Sequence, residues 1–133
     1  MKKMNNKGFS LVELIVVIAI MAVLVGVLAP QFIKYVESSR RSTDVSNAET
    51  IRSAVLADIA EGLLSGTGSK STCTACSPST LGEIPVLKGN KVSVGGSFYV
   101  DYDAAAGTCS VFADNAGTYN LTTTSGVSSY KVP

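Results

Sequence analysis

The chain has 133 residues, which suffices for one compact domain and is short for two. Its 11 basic and 10 acidic residues give a net charge of +1, so the basic excess of a nucleic-acid-binding protein is missing. The sequence has no His to act as base for a Ser or Cys nucleophile, and no Gly-rich loop follows a predicted strand. We therefore predict no catalytic residue, no metal site and no cofactor.

Residues 1–8 are a short basic segment in front of a long apolar block. Lys2, Lys3 and Lys7 precede the block, and no acidic residue does. The twenty residues from Leu14 to Ile33 carry no charge, and a helix of that length crosses the ~30 Å hydrocarbon core of a bilayer. Basic residues on the leading side favour a cytoplasmic N-terminus, with the rest of the chain outside.

One long helix is predicted over residues 9–63, which would extend roughly 80 Å. Its first half is apolar on all sides, as lipid requires, and its second half is amphipathic. Gly62 is a suitable stop signal. The apolar face of the second half comprises Val45, Ala48, Ile51, Val55, Ile59 and Leu63. The charged residues, which mostly occupy other positions, are Lys34, Glu37, Arg40, Arg41, Asp44, Glu49 and Arg52.

Beyond the helix the sequence predicts a loop and a β-meander. Residues 65–80 are small and polar, as in a loop. Short β-type segments separated by Gly-containing turns follow: Lys91–Val94, Ser97–Tyr102, Thr108–Ala113, Thr118–Thr123 and Val127–Val132. The predicted fold is therefore α+β, with a long N-terminal helix whose amphipathic half covers a three- to four-stranded antiparallel sheet.

The segment Lys7-Gly8-Phe9-Ser10-Leu11-Val12-Glu13-Leu14 runs directly into the apolar block. It resembles the cleavage and assembly signature of type IV prepilins and pseudopilins, in which Glu is the fifth residue after the cleavage point. The resemblance is strongest over residues 7–33, and the order of helix and sheet extends it more loosely over the chain. It implies a leader at 1–8, a transmembrane and assembly half-helix at 9–33, and an extracellular pilin domain at 34–133.

By resemblance, a membrane-embedded prepilin peptidase cuts between Gly8 and Phe9 and methylates the new amine of Phe9. Glu13 is then the assembly residue. A carboxylate deep in a membrane costs about 2.5–3.5 kcal/mol, and we expect no partner for it among the flanking residues. The family supplies the Phe9 amine of a neighbouring subunit as that partner. The alternative is that Glu13 lies at the headgroup interface and snorkels.

Pro30 lies inside the predicted helix and removes one backbone hydrogen bond. Pilins commonly carry a proline at this depth, where the helix loosens in the filament; the alternative is that Pro30 ends the membrane-spanning segment. Small residues let helices approach closely in a bundle, and the block contains Ala19, Ala22, Gly26 and Ala29.

The three cysteines, Cys73, Cys76 and Cys109, all lie beyond the span, where export permits disulfides. A metal site needs four ligands, and the sequence offers too few. We predict a disulfide between Cys109 and either Cys73 or Cys76, with the pairing left open. It is similar to the disulfide that many pilins carry in the C-terminal region, although their pairing of two late cysteines is not reproduced.

The resemblance implies a structural subunit of an extracellular pilus that serves adhesion, motility or aggregation. Its implied partners are identical subunits, the prepilin peptidase, and an assembly platform with its ATPase. The subunit would span the cytoplasmic membrane once before assembly. The alternative function is a pseudopilin of a type II secretion or DNA-uptake machine. A plain signal anchor explains the hydrophobicity and the basic flank, but not Gly8-Phe9 or Glu13.

Overall fold

The longest element is α1, an α-helix over Leu11–Ala60 that includes Pro30. The structure is a computed structural model that describes residues 8–76 and 78–132, and within them all side chains except those of residues 75 and 76. Predicted leader residues 1–7 lie outside that part. The chain forms two units, one up to Tyr35 and the other from Val36 onward.

In the first unit every described residue, from Gly8 to Tyr35, is exposed. The apolar part of α1 is long and hydrophobic enough to cross a membrane, and α1 is the one such helix in the described part of the chain. This single N-terminal apolar helix is consistent with membrane anchoring.

The second unit contains the rest of α1 and five further elements. In chain order they are β1 (Thr67–Thr72), α2 (Cys73–Cys76), β2 (Tyr99–Asp103), β3 (Thr108–Phe112) and α3 (Thr124–Lys131). The strands, as far as the chain is described, form one antiparallel sheet in the order β1-β2-β3. The α1 residues of this unit pack on one face of the sheet, which confirms the predicted α+β fold.

The N-terminal part of the sheet differs from the prediction. Strand β1 lies in the segment 65–80 that was predicted to be a loop. Its sequence shows no apolar alternation, and its pairing with β2 is interrupted between Gly68 and Ser71, where Lys70 adopts a φ of 46°. This bulge re-aims the strand, and such a strand has no signature in the hydrophobic pattern.

The C-terminal part of the chain also differs from the predicted secondary structure. The segment Val127–Val132, predicted to be a strand, belongs almost entirely to helix α3. Thr123 caps this helix, since its hydroxyl accepts a hydrogen bond from the Gly126 N–H at 3.2 Å. The predicted strands 91–94 and 118–123 do not form; Asn120 makes only an isolated bridge to Phe112. Strands β2 and β3 confirm the predictions for 97–102 and 108–113 with small boundary shifts.

The buried face of α1 extends beyond the apolar residues from which it was predicted. Ala48, Ile51 and Val55 are fully buried, as expected. The same face continues to Arg41 and Asp44 at one end and to Asp58 at the other, all buried despite their charge. Leu63 is instead 62% exposed, because α1 ends at Ala60 and the chain turns through Gly62, whose φ is +75°.

Opposite α1, the core is formed by inward-facing residues of the sheet and its flanking segments. Phe98, Val100 and Val111 are fully buried, while Leu121 and Tyr130 close the core from the C-terminal part. The Asp58 carboxylate accepts hydrogen bonds from the Ser79 N–H and hydroxyl at 2.8 and 2.7 Å, so it fixes the chain after α2 to the end of α1.

A buried carboxylate joins three distant segments of this unit. Asp44, fully buried, accepts hydrogen bonds from the Lys88 N–H at 2.8 Å, the Gly89 N–H at 2.7 Å and the Tyr130 hydroxyl at 2.7 Å. A Cβ at Gly89 would lie 2.8 Å from the Tyr130 hydroxyl and 2.9 Å from an Asp44 oxygen. Gly89 therefore permits the close approach. We call these four residues the Asp44 cluster.

Arg41, one turn earlier, holds the C-terminal end of the chain. Its guanidinium donates to the Glu37 carboxylate at 3.0 Å, to the Asn90 amide oxygen at 3.0 Å and to the Val132 carbonyl at 2.9 Å. Lys91 donates to the same Val132 carbonyl at 2.7 Å. Cations at the end of α3 satisfy carbonyls that the helix leaves unpaired.

Replacing Asp44 with Ala is expected to lower the free energy of unfolding by about 3 kcal/mol or more, because the Gly89 N–H and the Tyr130 hydroxyl would remain buried without an acceptor and the part-buried Lys88 N–H would lose its acceptor. Tyr130→Phe removes one hydrogen bond to a charged group and should cost about 1.5–3 kcal/mol. Tyr35→Phe, at an exposed site, is the control and should cost less than about 0.5 kcal/mol. Chemical denaturation of the detergent-solubilised chain measures all three; equal stability of Tyr130→Phe and Tyr35→Phe would contradict the role of the cluster.

The Asp44 cluster also predicts an alkaline transition. Burial raises the pKa of the Tyr130 phenol well above its usual range, and the hydrogen bond to Asp44 and its charge raise it further. The stability contributed by the neutral phenol is complete below the unfolded-state pKa of about 10 and is lost as pH rises toward the folded-state value. Stability of the wild type should therefore fall more steeply above about pH 10 than that of Tyr130→Phe. Parallel slopes in denaturation series at pH 8–11 would refute this.

Candidate processing and assembly site

The predicted scissile bond lies in front of α1, not inside it. Gly8, Phe9 and Ser10 have no helical conformation, and all three are exposed, Phe9 by 93%. A helix must unfold locally before its backbone can enter a protease, whereas an exposed non-helical segment at a terminus needs no such step. Gly8 adds no side chain that would obstruct close approach to the bond.

Glu13 has a partner within its own chain, which the sequence prediction missed. Its Oε2 accepts a hydrogen bond from the Ser10 N–H at 2.9 Å. Ser10 directly precedes α1 and Glu13 is the third helical residue, so this is the glutamate half of a capping box. The pattern Ser-x-x-Glu, visible in the sequence, could have identified it.

The cap leaves Glu13 able to bind a cation as well. A carboxylate offers about four acceptor sites, and the Ser10 N–H occupies one of them. The first turn of a helix also favours negative charge, since unpaired N–H groups give it a positive end. Glu13 is therefore held in a defined place while part of its acceptor capacity remains for a further donor.

Helix α1 continues through Pro30 without interruption. Because Pro30 lacks an N–H, the Gly26 carbonyl receives no bond from the residue four positions later. A Cβ at Gly26 would meet nothing within 4 Å, so this stretch of the first unit is open on that side. Pro30 and Gly26 thus mark a weaker point in the hydrogen-bond ladder of α1.

Two of the three cysteines lie in the core of the second unit. Cys73 and Cys109 are buried in the same hydrophobic cluster, while the side chain of Cys76 lies outside the described part. The Cys73 N–H bonds to the Phe98 carbonyl on one side of β2, and Cys109 pairs with Tyr102 on the other side. Strand spacing separates these two Cα atoms by about 13 Å along β2 and about 10 Å across it.

A disulfide requires Cα atoms within about 7 Å. The strand spacing exceeds this limit for Cys73 and Cys109, and Cys76, one helical turn from Cys73, can lie only about 5 Å nearer. The register therefore selects neither pairing, and the bridge from Cys109 to Cys73 or Cys76 stays a prediction. It would join the helical turn after β1 to the far edge strand and stabilise the unit by roughly 3–4 kcal/mol through its loop length.

The first unit has an exposed apolar helix with a carboxylate in its first turn, and the second unit has a helix packed on a small antiparallel sheet. Both features are consistent with a pilin fold. Comparison with known proteins is consistent with this class of protein for the N-terminal residues. Residues 3–29 match the family model described as the prokaryotic N-terminal methylation motif, which confirms the predicted prepilin-type signature.

A curated relative extends the comparison beyond the motif. Prepilin peptidase-dependent protein A of Clostridium perfringens (strain 13 / Type A) is 41% identical over 64 residues, which cover 47% of this chain and 46% of that protein. The matched part is thus about half of the relative's length. No solved structure matches. The motif and the relative support a type IV pilin-like or pseudopilin protein.

The proposed disulfide can be tested by tryptic mapping without reduction. Cys73 and Cys76 lie on the peptide 71–88, and Cys109 lies on the peptide 92–131. We expect a reducible mass that joins both peptides in the wild type. Its loss in Cys76→Ser alone would assign the bridge to Cys76, and its loss in Cys73→Ser alone would assign it to Cys73; no linked mass in the wild type would refute the predicted disulfide.

Proposed function

We propose that the chain is the structural subunit of an extracellular type IV pilus filament. The observation that carries this proposal is the first unit, in which an uncharged run of twenty residues lies on a helix with every described residue exposed. That surface is stable only when lipid or other apolar helices cover it. A subunit anchored in the membrane and later bundled in a filament meets both conditions with one segment.

Processing would occur between Gly8 and Phe9. A prepilin peptidase hydrolyses this bond and methylates the amine that hydrolysis leaves on Phe9. The methylation motif at residues 3–29 supports this step, as does the exposed non-helical backbone around the bond. The name of the relative states a dependence on prepilin peptidase for that protein, and we extend the dependence to this chain.

Assembly would use the Phe9 amine of one subunit and Glu13 of a neighbour. Within a desolvated bundle of helices, opposite charges attract far more strongly than in water. The pair therefore fixes the axial register between subunits. Because Glu13 also caps its own helix, its carboxylate is oriented before the neighbour arrives, and less ordering is needed on assembly.

Membrane insertion precedes these steps in the proposal. The basic leader remains in the cytoplasm, the apolar first part of the helix (9–33) spans the cytoplasmic membrane, and the second unit lies outside. An assembly platform and its ATPase then extract the subunit into the filament, where identical subunits cover the apolar helices. Pseudopilins of secretion or DNA-uptake machines share this processing, so the length and location of the polymer decide between the two functions.

The test is the intact mass and N-terminal sequence of the chain in filaments sheared from cells. We expect a chain that begins at N-methylated Phe9 in abundant surface fibres. A chain that retains Met1, or one that begins near Pro30, would refute the proposal. A correctly processed chain found only in short, membrane-retained polymers would assign it to a pseudopilin.

Two variants separate the charge of Glu13 from its capping role. Glu13→Gln keeps an oxygen that can accept the Ser10 N–H, whereas Glu13→Ala removes charge and cap together. If the charge pairs with a neighbouring amine, both variants should lower filament yield at least about tenfold, with cleavage at Gly8 retained. Normal yield for Glu13→Gln would show that the residue serves only as a cap.

A further inference from the structure

One end of the second unit carries a groove with a basic rim. It has a volume of about 340 Å³ and lies between α1 and the segment 86–95. Two valines at the groove are exposed, Val86 by 49% and Val94 by 63%. The residues that line it are Arg40, Val86, Leu87, Lys88, Val94 and Gly95. We call it the basic-rimmed groove.

The walls of this groove are fixed by backbone hydrogen bonds. The Leu87 N–H donates to the Gly96 carbonyl at 2.9 Å, and the Gly95 N–H donates to the Leu87 carbonyl at 2.7 Å. The Lys88 N–H is bound to Asp44. The groove therefore exists before anything binds to it, which lowers the entropic cost of binding.

Two cations at the rim are available for a partner. The ion pairs found in the described part of the chain join Arg41 to Glu37 and Arg52 to Glu49, and neither includes Arg40 or Lys88. An adjoining depression shares Val86 and Lys88 and carries the carboxylate of Glu83 at its edge. The exposed valines and the two cations of the basic-rimmed groove itself, of which Arg40 does not line the adjoining depression, suit a ligand that combines an apolar side chain with a carboxylate.

The opposite end of α1 presents that combination. Leu63 is 62% exposed, and Glu61 two residues earlier is exposed as well. The turn that carries them is rigid, since the Gly62 N–H donates to the Ile59 carbonyl at 3.1 Å and the Leu63 N–H to the Asp58 carbonyl at 2.9 Å. These two bonds form a Schellman motif. We call residues 61–63 the terminal turn.

The groove and the terminal turn of one chain cannot meet each other. Arg40 and Ala60 are twenty residues apart on α1, which places them about 30 Å apart at 1.5 Å per residue. Two complementary surfaces about 30 Å apart on one rigid element can pair only between copies. Such a heterologous contact produces an open helical polymer when its rotation does not close into a ring.

We propose that the terminal turn of one subunit docks in the basic-rimmed groove of a second copy of this chain. Leu63 covers the valines of the groove, and the carboxylate of Glu61 pairs with Lys88 and Arg40. The proposal rests on the proposed function, because the contact operates inside the filament. It adds a contact between the second units to the one that the N-terminal helices make.

The test uses charge reversal in the full chain in cells. Glu61→Lys and Lys88→Glu should each reduce the yield of sheared filaments at least about tenfold, because each places like charges together. The double variant restores opposite charges and should recover to within about twofold of the wild type. Leu63→Ser should also reduce yield, whereas Val132→Ser, at a similarly exposed valine, should not. Glu49→Lys is the control for charge reversal elsewhere on α1.

The outcomes separate this inference from the proposed function. If the wild-type chain itself is absent from sheared filaments, the proposed function fails. If it is present and the single reversals assemble normally, or if the double variant is no better than the singles, the docking proposal fails alone. Filament yield that falls in Lys88→Glu, is not rescued by Glu61→Lys and is normal in Glu61→Lys alone would overturn the proposal in favour of another anionic group, such as a lipid headgroup, as the occupant of the groove.

Discussion

The second unit depends on a carboxylate that folding removes from water. Asp44 lies on the helix face that packs on the sheet, and a buried charge there is tolerated only with full hydrogen bonding. Its hydrogen-bond donors belong to residues that lie at least 44 positions later in the chain. The carboxylate is therefore satisfied only when the segment at Lys88 and helix α3 have both docked. This requirement makes the docking of the C-terminal part cooperative with that of α1.

The sequence predicted the elements whose patterns admit one interpretation. Helix α1 follows from an uncharged run and a three-to-four-residue period, and β2 and β3 follow from alternating apolar residues next to glycine turns. In α3, by contrast, Val127 and Tyr130 fit either a strand or a short helix, and the cap at Thr123 decides for the helix. Strand β1 has polar residues throughout, so no hydrophobic pattern marks it in the sequence. Pairing with β2 stabilises it.

The candidate site was predictable to a similar degree. The sequence points to Gly8, Phe9 and Glu13 because several fixed elements coincide in a short segment, and their roles stay predictions. The Ser10–Glu13 bond follows from the spacing of a capping box. The burial of Arg41 and Asp44 could not be predicted, since charged residues on a helix are expected to face water. Apart from Glu37, their partners lie tens of residues away, and only the fold brings them together.

The two units impose different physical demands on one helix. Contacts between apolar helices bury large areas but are weakly directional, because hydrophobic association follows area and not orientation. In the proposed filament, a single charge pair near the helix start would fix axial register, yet it would leave rotation about the filament axis poorly determined. A second contact between rigid surfaces would restrain that rotation. The second unit offers such surfaces at its two ends, in a groove set by the Asp44 cluster and a turn set by the end of α1. The buried carboxylate that completes the fold would thereby also shape the surface through which copies meet.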